Sequence, residues 1–360
     1  MWSDTPFSKR LGIRYPIVQG PFGGGPSSVR LLSAVSNAGG MGSYGMHMVE
    51  PQKMRELASE IRLSTDKPFA LNLWISNSPV HPHGEASIFQ AGVRLLKSYY
   101  TELGIALPQI PERYLPNQTE QLEALLEIAP PVASFVYGIP PAAYLERCRR
   151  VGIVTMGTAT TPEEAKALED AGIDVIVASG PEAGGHRGSF VRSPEESLIG
   201  MFALIPQIAD TVKVPFIAAG GIADARGVAA ALALGAQGVQ MGTAFLACDE
   251  SDAGTLHRAA LWSPAARRTT LTRAFTGRLA RSIPNQLSEA LDHRDADIPP
   301  YPLQAWLVGK LKPQALGSER SDLLSFSAGQ AAGLIRHRNA CDLIEAIVAE
   351  TPGLLQRLNA

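Results

Sequence analysis

The 360-residue sequence contains little cysteine, no excess of one charge and no long apolar run. Its three cysteines, Cys148, Cys248 and Cys341, are far apart and match no metal-ligand spacing, so they fit a reducing compartment. The formal net charge of −2 gives no reason to expect nucleic acid or a membrane surface as a partner. No signal peptide is evident at residues 1–6, and no apolar run reaches transmembrane length. We therefore expect a cytoplasmic protein.

What the sequence does contain is a regular alternation of short apolar strands and amphipathic helices. The predicted strands lie at residues 14–19, within 39–45, and at 68–74, 132–136, 153–155, 174–177, 215–218 and 238–241. The predicted helices between and after them lie at residues 27–37, 51–63, 118–128, 141–151, 161–171, 195–211 and 224–234. Eight strands alternating with helices predict an α/β protein with a (β/α)8 TIM barrel.

Two regions depart from this rhythm. Residues 76–117 are longer than a barrel loop and predict an insertion after the third strand, able to cover the site. Residues 1–251 would form the barrel, and residues 252–360 a helical subdomain closing on the barrel mouth. The helical patterns of that subdomain lie at residues 255–261, 287–291, 304–308, 323–336 and 340–349. The basic segments 267–273 and 277–281 indicate either a solvated face or contacts near an anionic ligand.

The stretch most suggestive of chemistry is residues 178–188, which read Ala-Ser-Gly-Pro-Glu-Ala-Gly-Gly-His-Arg-Gly. It follows a predicted buried strand, and loops after parallel strands are where α/β barrels keep their active sites. Glycines let the backbone approach a ligand closely, and the imidazole of His186 can exchange a proton near neutral pH. The alternative is a glycine-rich surface turn with an incidental histidine.

Other loops add candidate binding residues. The strands at 215–218 and 238–241 end in Gly220-Gly221 and Gly242-Thr243, which resemble the phosphate site after the last two strands of a β/α barrel. The alternative is two ordinary turns. At the end of the third strand, the Asn72 amide can bind the edge of a heterocycle or bond the local backbone. His81 and His83 have metal-ligand spacing but no further ligand nearby, so no metal site is predicted.

Four segments together resemble the nitronate monooxygenase family, formerly called 2-nitropropane dioxygenases: residues 16–21, 182–188, 218–224 and 240–246. The resemblance extends to residues 277–281, 300–302 and 328–330 of the tail, and implies a barrel that binds FMN non-covalently. The cofactor-binding residues it implies are Gly20, Pro21, Phe22, Asn72, Ser179, Gly184, Gly185, Gly220, Gly221, Gln240, Met241, Gly242 and Thr243. Ser179 stands where the family usually has Gln, and Phe22 would narrow the pocket beside the flavin.

By the same resemblance, His186 matches the catalytic histidine, either a base toward a nitroalkane or a partner for the nitronate. The implied reaction oxidises alkyl nitronates with O2 to a carbonyl compound and nitrite. Tyr301 is the tail residue expected to line the substrate pocket. Lys310 or a tail arginine can attract the anion, unless each is simply a solvent-exposed charge.

Two other functions remain open from the sequence. FMN-containing enoyl-acyl-carrier-protein reductases share the Glu-Ala-Gly-Gly-His loop and the same turns, so an NAD(P)H-dependent reductase of a quinone or enoyl thioester is the main alternative. The Arg187-Gly188 continuation and the Pro-Tyr-Pro segment at 300–302 favour the nitronate reaction. A non-enzymatic FMN-binding protein is the third possibility, and a histidine beside the flavin argues against it.

Overall fold

Eight parallel strands form the barrel in a computed structural model that describes residues 1–75 and 86–358. These strands are β1 (Ile17–Gln19), β2 (Gly42–Gly45), β3 (Phe69–Trp74), β4 (Val132–Val136), β5 (Val154–Ala159), β6 (Val175–Ser179), β8 (Phe216–Ala219) and β9 (Val239–Met241). Their order in the sheet is β1-β9-β8-β6-β5-β4-β3-β2. Met41 closes the ring: its N–H donates to Ile17 O and its carbonyl accepts from Gln19 N, each at 2.9 Å. The predicted TIM barrel is confirmed.

The helices before residue 252 alternate with the strands in the predicted rhythm, except that the helix before β1 was not predicted and the helix at residues 86–102 lies in the predicted insertion. They are α1 (Pro6–Leu11), α2 (Val29–Asn37), α3 (Pro51–Ser64), α4 (Ala86–Glu102), α5 (Gln118–Ile128), α6 (Ala142–Arg150), α7 (Pro162–Asp170), α8 (Met201–Thr211), α9 (Ala225–Ala233) and α10 (Thr243–Leu246). The side chains of Ser28, Thr161 and Asp224 accept hydrogen bonds from the first turns of α2, α7 and α9. These caps satisfy N–H groups that the helices cannot pair internally, which is why the helices begin there.

The core lies in two layers of the barrel. Apolar residues between the strands and the outer helices form one cluster. Inside the barrel, Phe7 and Leu11 of α1 pack against strand residues such as Val18, Val132 and Val175. Val132 and Val175 are the first residues of β4 and β6, so α1 fills the amino-terminal end of the barrel. The carboxyl-terminal end is thereby the end left for a functional site.

The chain after the barrel contributes five further helices and part of a second sheet. The helices are α11 (Thr255–Leu261), α12 (Gln286–Ala290), α13 (Leu303–Gly309), α14 (Lys312–Gly317) and α15 (Ala340–Leu358). Strands β7 (Gly185–His186), β10 (Thr270–Thr272) and β11 (Ala280–Ser282) form an antiparallel sheet in the order β10-β11-β7. The sequence did not indicate this sheet, which joins the tail to the His186 loop.

The tail and the insertion share a second apolar core. Phe89 and Tyr100 of α4 are buried with residues of α12 and α13, and the Tyr100 hydroxyl donates to Leu307 O at 2.8 Å. The last helix, α15, packs instead against α2 and α9 on the outside of the barrel. The division of the chain at residues 251 and 252 therefore stays a prediction. None of the described helices is long and apolar enough to cross a membrane.

Two helix predictions were wrong in extent. The segment 323–336 is not an α-helix but holds short 3-10 turns at Ser321–Leu323 and Gln330–Leu334. Between them the chain crosses the barrel loops, where Gly329 N donates to the Thr243 hydroxyl and Gln330 N to Glu182 O. The helix predicted from residue 195 begins only at Met201, whose N–H donates to the Glu182 carboxylate at 2.9 Å. His81 and His83 lie outside the described residues.

Candidate active site

Aromatic side chains gather at the carboxyl ends of three neighbouring strands. His47 follows β2, Trp74 ends β3 and Tyr137 follows β4. The His47 ring stacks on Trp74 at a centroid distance of 4.1 Å, and the Tyr137 ring meets the indole edge at 4.9 Å. His186 and Tyr301 approach the same indole at 5.0 and 5.5 Å. We call these five residues the aromatic cluster.

His186 is held in this cluster from two directions. Its backbone pairs with Ala280 of β11, and the N–H of the next residue, Arg187, donates to Leu279 O at 2.9 Å. Its Nε2 atom lies 2.9 Å from the Thr276 hydroxyl oxygen. Burial, with a smaller effect of the Arg278 charge, lowers the pKa of His186 to about 3. The imidazole is therefore neutral at neutral pH, and one of its ring nitrogens carries a lone pair.

Arg278 is the charged member of the site. The centre of its guanidinium group lies 3.9 Å from the Tyr137 ring centroid, 4.6 Å from that of Tyr301 and 5.8 Å from that of Trp74. Such contacts with aromatic faces stabilise a cation without neutralising it. Burial, opposed by the Arg278 charge, raises the pKa of Tyr137 to about 12, so the phenol remains protonated at neutral pH.

His47 adds a second neutral imidazole. Its Nε2 atom is hydrogen-bonded to the Tyr301 hydroxyl, and the side chain is buried. Burial and the nearby Arg278 and His186 lower the pKa of His47 to about 3. The His47–Tyr301 contact therefore fixes the tail residue Tyr301 against the barrel strands.

A buried arginine, Arg187, stabilises the loop between β6 and His186. Arg187 is 1% exposed, and its guanidinium donates to the carbonyl groups of Gly180, Ser179 and Ser197. Burial lowers the pKa of Arg187 to about 10, which still leaves it charged at neutral pH. It fixes the turn between β6 and His186, and Ser179 serves this turn through its backbone carbonyl.

The predicted phosphate residues do come together. A carbon added to Gly184 would lie 2.6 Å from Gly329 N, and that N–H donates to the Thr243 hydroxyl at 2.9 Å. Gly221 faces the same loop, since a carbon added there would lie 3.4 Å from Glu182 Cβ. Within the described chain, the N–H groups of Gly221 and Thr243 donate to no acceptor. These groups and the Thr243 hydroxyl proton can bind an anion.

The two glycines after β8 have the backbone form that the turn requires. Gly220 and Gly221 have φ angles of 119° and 70°, which side chains with a Cβ adopt only under strain. A carbon added to Gly220 would also lie 3.0 Å from Ala183 N. Gly185, in the loop that follows β6, pairs with Arg281 of the second sheet.

Residues 20–22, which follow β1, lie against the last strand of the barrel, β9. A carbon added to Gly20 would lie 3.5 Å from Gly242 Cα and from Met241 O, and 3.6 Å from Gln240 Cγ. Phe22, two residues on across Pro21, is partly buried against both apolar cores and lies 3.9 Å from the Cβ position of Gly242. These predicted cofactor residues thus form one wall, beside the glycine turns.

Asn72 occupies the strand end that the sequence predicted. It is buried, and its amide group donates to Ser134 O at 3.1 Å and to the Ser134 hydroxyl at 2.9 Å. Neither sequence interpretation named this partner on β4. With the NH2 group directed to Ser134, the oxygen Oδ1 is the atom left to accept from a ligand.

Sequence reasoning missed five residues of the site: His47, Trp74, Tyr137, Thr276 and Arg278. Three of them stand at the ends of predicted strands, and that position was the signal that could have found them. For Arg278 the only signal was the basic segment 277–281, and Thr276 lies between the two basic segments with no signal of its own. Lys310 lies elsewhere, with its ammonium 4.5 Å from the Trp306 ring centroid.

Comparison with known proteins extends over nearly the whole chain. The family model described as nitronate monooxygenase matches residues 4–350. A protein named probable nitronate monooxygenase from Staphylococcus saprophyticus is 35% identical over 349 residues, which cover 96% of this chain and 97% of that protein. Among solved structures, nitroalkane oxidase from Streptomyces ansochromogenes has a TM-score of 0.87 and 34% identity, covering 98% of this chain and 99% of that one. FabK from Thermotoga maritima is similar at a TM-score of 0.74 and 29% identity, covering 99% of this chain and 98% of that one.

Proposed function

Because the chain belongs to the nitronate monooxygenase family, and so is an oxidoreductase, we propose that it uses FMN to oxidise alkyl nitronates with O2 to a carbonyl compound and nitrite. The observation that carries this proposal is His186: a neutral imidazole, fixed by β11 and Thr276, in an aromatic cluster beside the glycine turns. A nitroalkane becomes a nitronate by losing a carbon-bound proton, and the free ring nitrogen of His186 is the group to accept it.

The glycine loops support FMN as the cofactor. The N–H groups of Gly221 and Thr243, which have no acceptor among the described residues, would hold the phosphate together with the Thr243 hydroxyl. The close approach of Gly184 to Gly329 leaves no space for a side chain and holds the tail directly against the loop that bears His186, next to these donors. The wall formed by Gly20 to Phe22 and Gln240 to Gly242, with Asn72, Ser179, Gly185 and Gly220 around it, would bind the rest of FMN. When bound, FMN would carry electrons between the substrate and oxygen.

The tail contributes the remaining parts of the proposed site. Thr276 orients His186, Arg278 supplies a positive charge, and Tyr301 closes the aromatic cluster. We therefore retain residues 252–360 as a substrate-binding subdomain, with α15 as the part that packs on the barrel exterior. The cytoplasm is the proposed compartment, supported by the free thiols of Cys148, Cys248 and Cys341.

The second candidate is an NAD(P)H-dependent flavin reductase of a quinone or enoyl thioester. The similarity to FabK from Thermotoga maritima favours it, although with lower identity and TM-score than the nitroalkane oxidase. The two functions differ in what donates electrons to the flavin. The donor is the nitronate in one case and a nicotinamide nucleotide in the other.

The test is anaerobic mixing of the purified holoenzyme with ethylnitronate, and separately with NADH and NADPH, while the flavin absorbance is followed. We expect the nitronate to change the flavin spectrum rapidly and neither nucleotide to bleach it. Bleaching by a nucleotide without any response to nitronate would refute the proposal and favour the reductase. With oxygen present, His186→Asn should lower turnover of neutral nitroethane by about 10²–10⁴-fold if the imidazole is the base. His293→Asn, at a histidine that is exposed and outside the aromatic cluster, is the matched control.

A further inference from the structure

Among the residues that the structure describes, Arg278 differs from the arginines around it in having no anionic or carbonyl partner. Arg273 is paired with Glu195 at 2.5 Å, Arg281 donates to Pro181 O at 2.6 Å, and Arg187 is bonded to three carbonyl groups. In the described part of the chain, no carboxylate or carbonyl oxygen accepts from the Arg278 guanidinium. Aromatic rings are what it contacts. A partly buried positive charge without a counter-charge is a binding site for an anion.

The Tyr137 hydroxyl is a second unused donor beside it. This hydroxyl is buried and has no hydrogen-bond partner in the residues that the structure describes. The guanidinium lies over the ring, 3.9 Å from its centroid, and any approach of its N–H groups to the phenol oxygen leaves the hydroxyl proton unused. Tyr137 also has a φ of 72°, a left-handed backbone form that a tyrosine adopts only under strain. The fold thus holds the ring under Arg278 at an energetic cost, which points to a function for the pair.

The other polar groups of the cluster offer no competing charge. His47 and His186 are neutral at neutral pH, and no carboxylate belongs to the aromatic cluster. A guanidinium presents parallel N–H donors that match two oxygen atoms on one planar centre. Nitronates and carboxylates share this planar arrangement of two oxygens and one negative charge. A neutral nitroalkane has the two oxygens without the net charge.

We propose that Arg278 and the Tyr137 hydroxyl bind the two oxygen atoms of the substrate in its anionic form, so that the site selects nitronates over neutral nitroalkanes. This inference rests on the proposed function for the identity of the substrate. The recognition chemistry does not, because any small planar anion with two oxygens should bind there. Small carboxylates are therefore expected to be competitive inhibitors.

The experiment titrates the FMN-loaded enzyme with isobutyrate, a carboxylate with the carbon skeleton of propane-2-nitronate, by calorimetry. In parallel, KM is measured for propane-2-nitronate and for 2-nitropropane. Arg278→Met should weaken isobutyrate binding and raise the KM for nitronate by at least about tenfold, since a hydrogen bond to a charged group is lost. The KM for neutral 2-nitropropane should change by less than about threefold. Tyr137→Phe should act in the same direction but more weakly.

Arg338→Met is the matched control, because Arg338 also lies over an aromatic ring, 4.4 Å from the Trp262 centroid, but is exposed and outside the aromatic cluster. It should leave both constants unchanged. Equal isobutyrate affinity in Arg278→Met and the wild type, or no binding to the wild type, would overturn the proposal. If Arg278→Met fails to fold, the isobutyrate affinities of Arg278→Lys and Tyr137→Phe are measured instead. Wild-type affinity in both variants would refute the proposal.

The outcomes separate this inference from the proposed function. If nitronate is oxidised but isobutyrate binding does not depend on Arg278, the anion site is wrong and the reaction stands. If nitronate is not oxidised but Arg278→Met loses isobutyrate affinity, the anion site stands and the proposed reaction is wrong.

Discussion

The Thr276 hydroxyl oxygen lies 2.9 Å from the Nε2 atom of His186. The same hydroxyl is 3.2 Å from Arg278 O and 3.3 Å from Arg278 N, so it also shapes the turn that presents Arg278. One short turn of the tail therefore positions both the neutral imidazole and the unpaired guanidinium. This relationship makes the barrel site dependent on residues almost a hundred positions downstream.

Replacing Thr276 by valine should impair catalysis without removing the site. Valine has nearly the same volume, so the packing survives while the hydrogen bond to His186 is lost. One such bond contributes about 1–1.5 kcal/mol, which corresponds to a fall in kcat of about 5–15-fold for 2-nitropropane. Steady-state kinetics measures this, and the affinity for isobutyrate should fall as well, because the lost hydroxyl also shapes the turn that presents Arg278. Thr276→Ser should restore kcat, and a serine variant as slow as the valine variant would contradict a positioning role.

The two neutral histidines predict an acid-dependent loss of stability. In the folded protein the pKa values of His47 and His186 are about 3, below the ordinary value of 6.5. Between these pH values the unfolded chain binds more protons, so the free energy of unfolding falls as the pH is lowered. Each histidine contributes up to about 1.4 kcal/mol per pH unit.

Urea unfolding of the apoprotein between pH 4 and 7 measures this dependence. His47→Gln should lower the slope of unfolding free energy against pH by up to about 1.4 kcal/mol per unit relative to the wild type, most fully between pH 4 and 5.5. The exposed residue His293 provides the control, His293→Gln, which should leave the slope unchanged. An equal slope in His47→Gln and the wild type would show that His47 is not held neutral.

The strands and their carboxyl-terminal ends could be predicted because each is a local pattern. A short apolar run followed by glycine identifies β6, β8 and β9 without knowledge of the rest of the chain. The residues that meet there from the tail could not be predicted this way. Thr276 reaches His186 only through the β7–β11 pairing, and a two-residue strand such as Gly185–His186 has no periodicity of its own.

The wrong helix at 323–336 has a similar physical reason. Its apolar spacing fits a helix, but Gly329 is held extended by the hydrogen bond to Thr243 and by its close approach to Gly184. Tertiary contacts thus override local propensity at the point where the tail crosses the barrel. The basic segments 267–273 and 277–281 likewise do not indicate which of their arginines has a carboxylate partner. That depends on distant residues, since Arg273 is paired with Glu195 of another loop.

Gly184→Ala should separate the tail from the proposed phosphate cradle. The added methyl carbon would lie 2.6 Å from Gly329 N, so backbone must shift, at a cost of about 1–3 kcal/mol. We expect the affinity for FMN to fall by at least about tenfold, as measured by the recovery of flavin fluorescence on dilution. Gly254→Ala is the control, because no atom lies within 4 Å of the added carbon. FMN affinity equal to that of the control would place the phosphate elsewhere.

Arg187→Met should destabilise the apoprotein more than any loss of surface charge can. The substitution removes the arginine donor from the carbonyl groups of Ser179, Gly180 and Ser197, of which Gly180 O still accepts from Ala183 N, so we expect a loss of about 3 kcal/mol in the free energy of unfolding. Arg192→Met is the control, since Arg192 pairs with Glu163 at the surface and should contribute less than about 1 kcal/mol. Urea unfolding of both variants compares them directly. A loss below about 1 kcal/mol in Arg187→Met would mean that the loop bearing His186 is held by its β11 pairing instead of by the buried arginine.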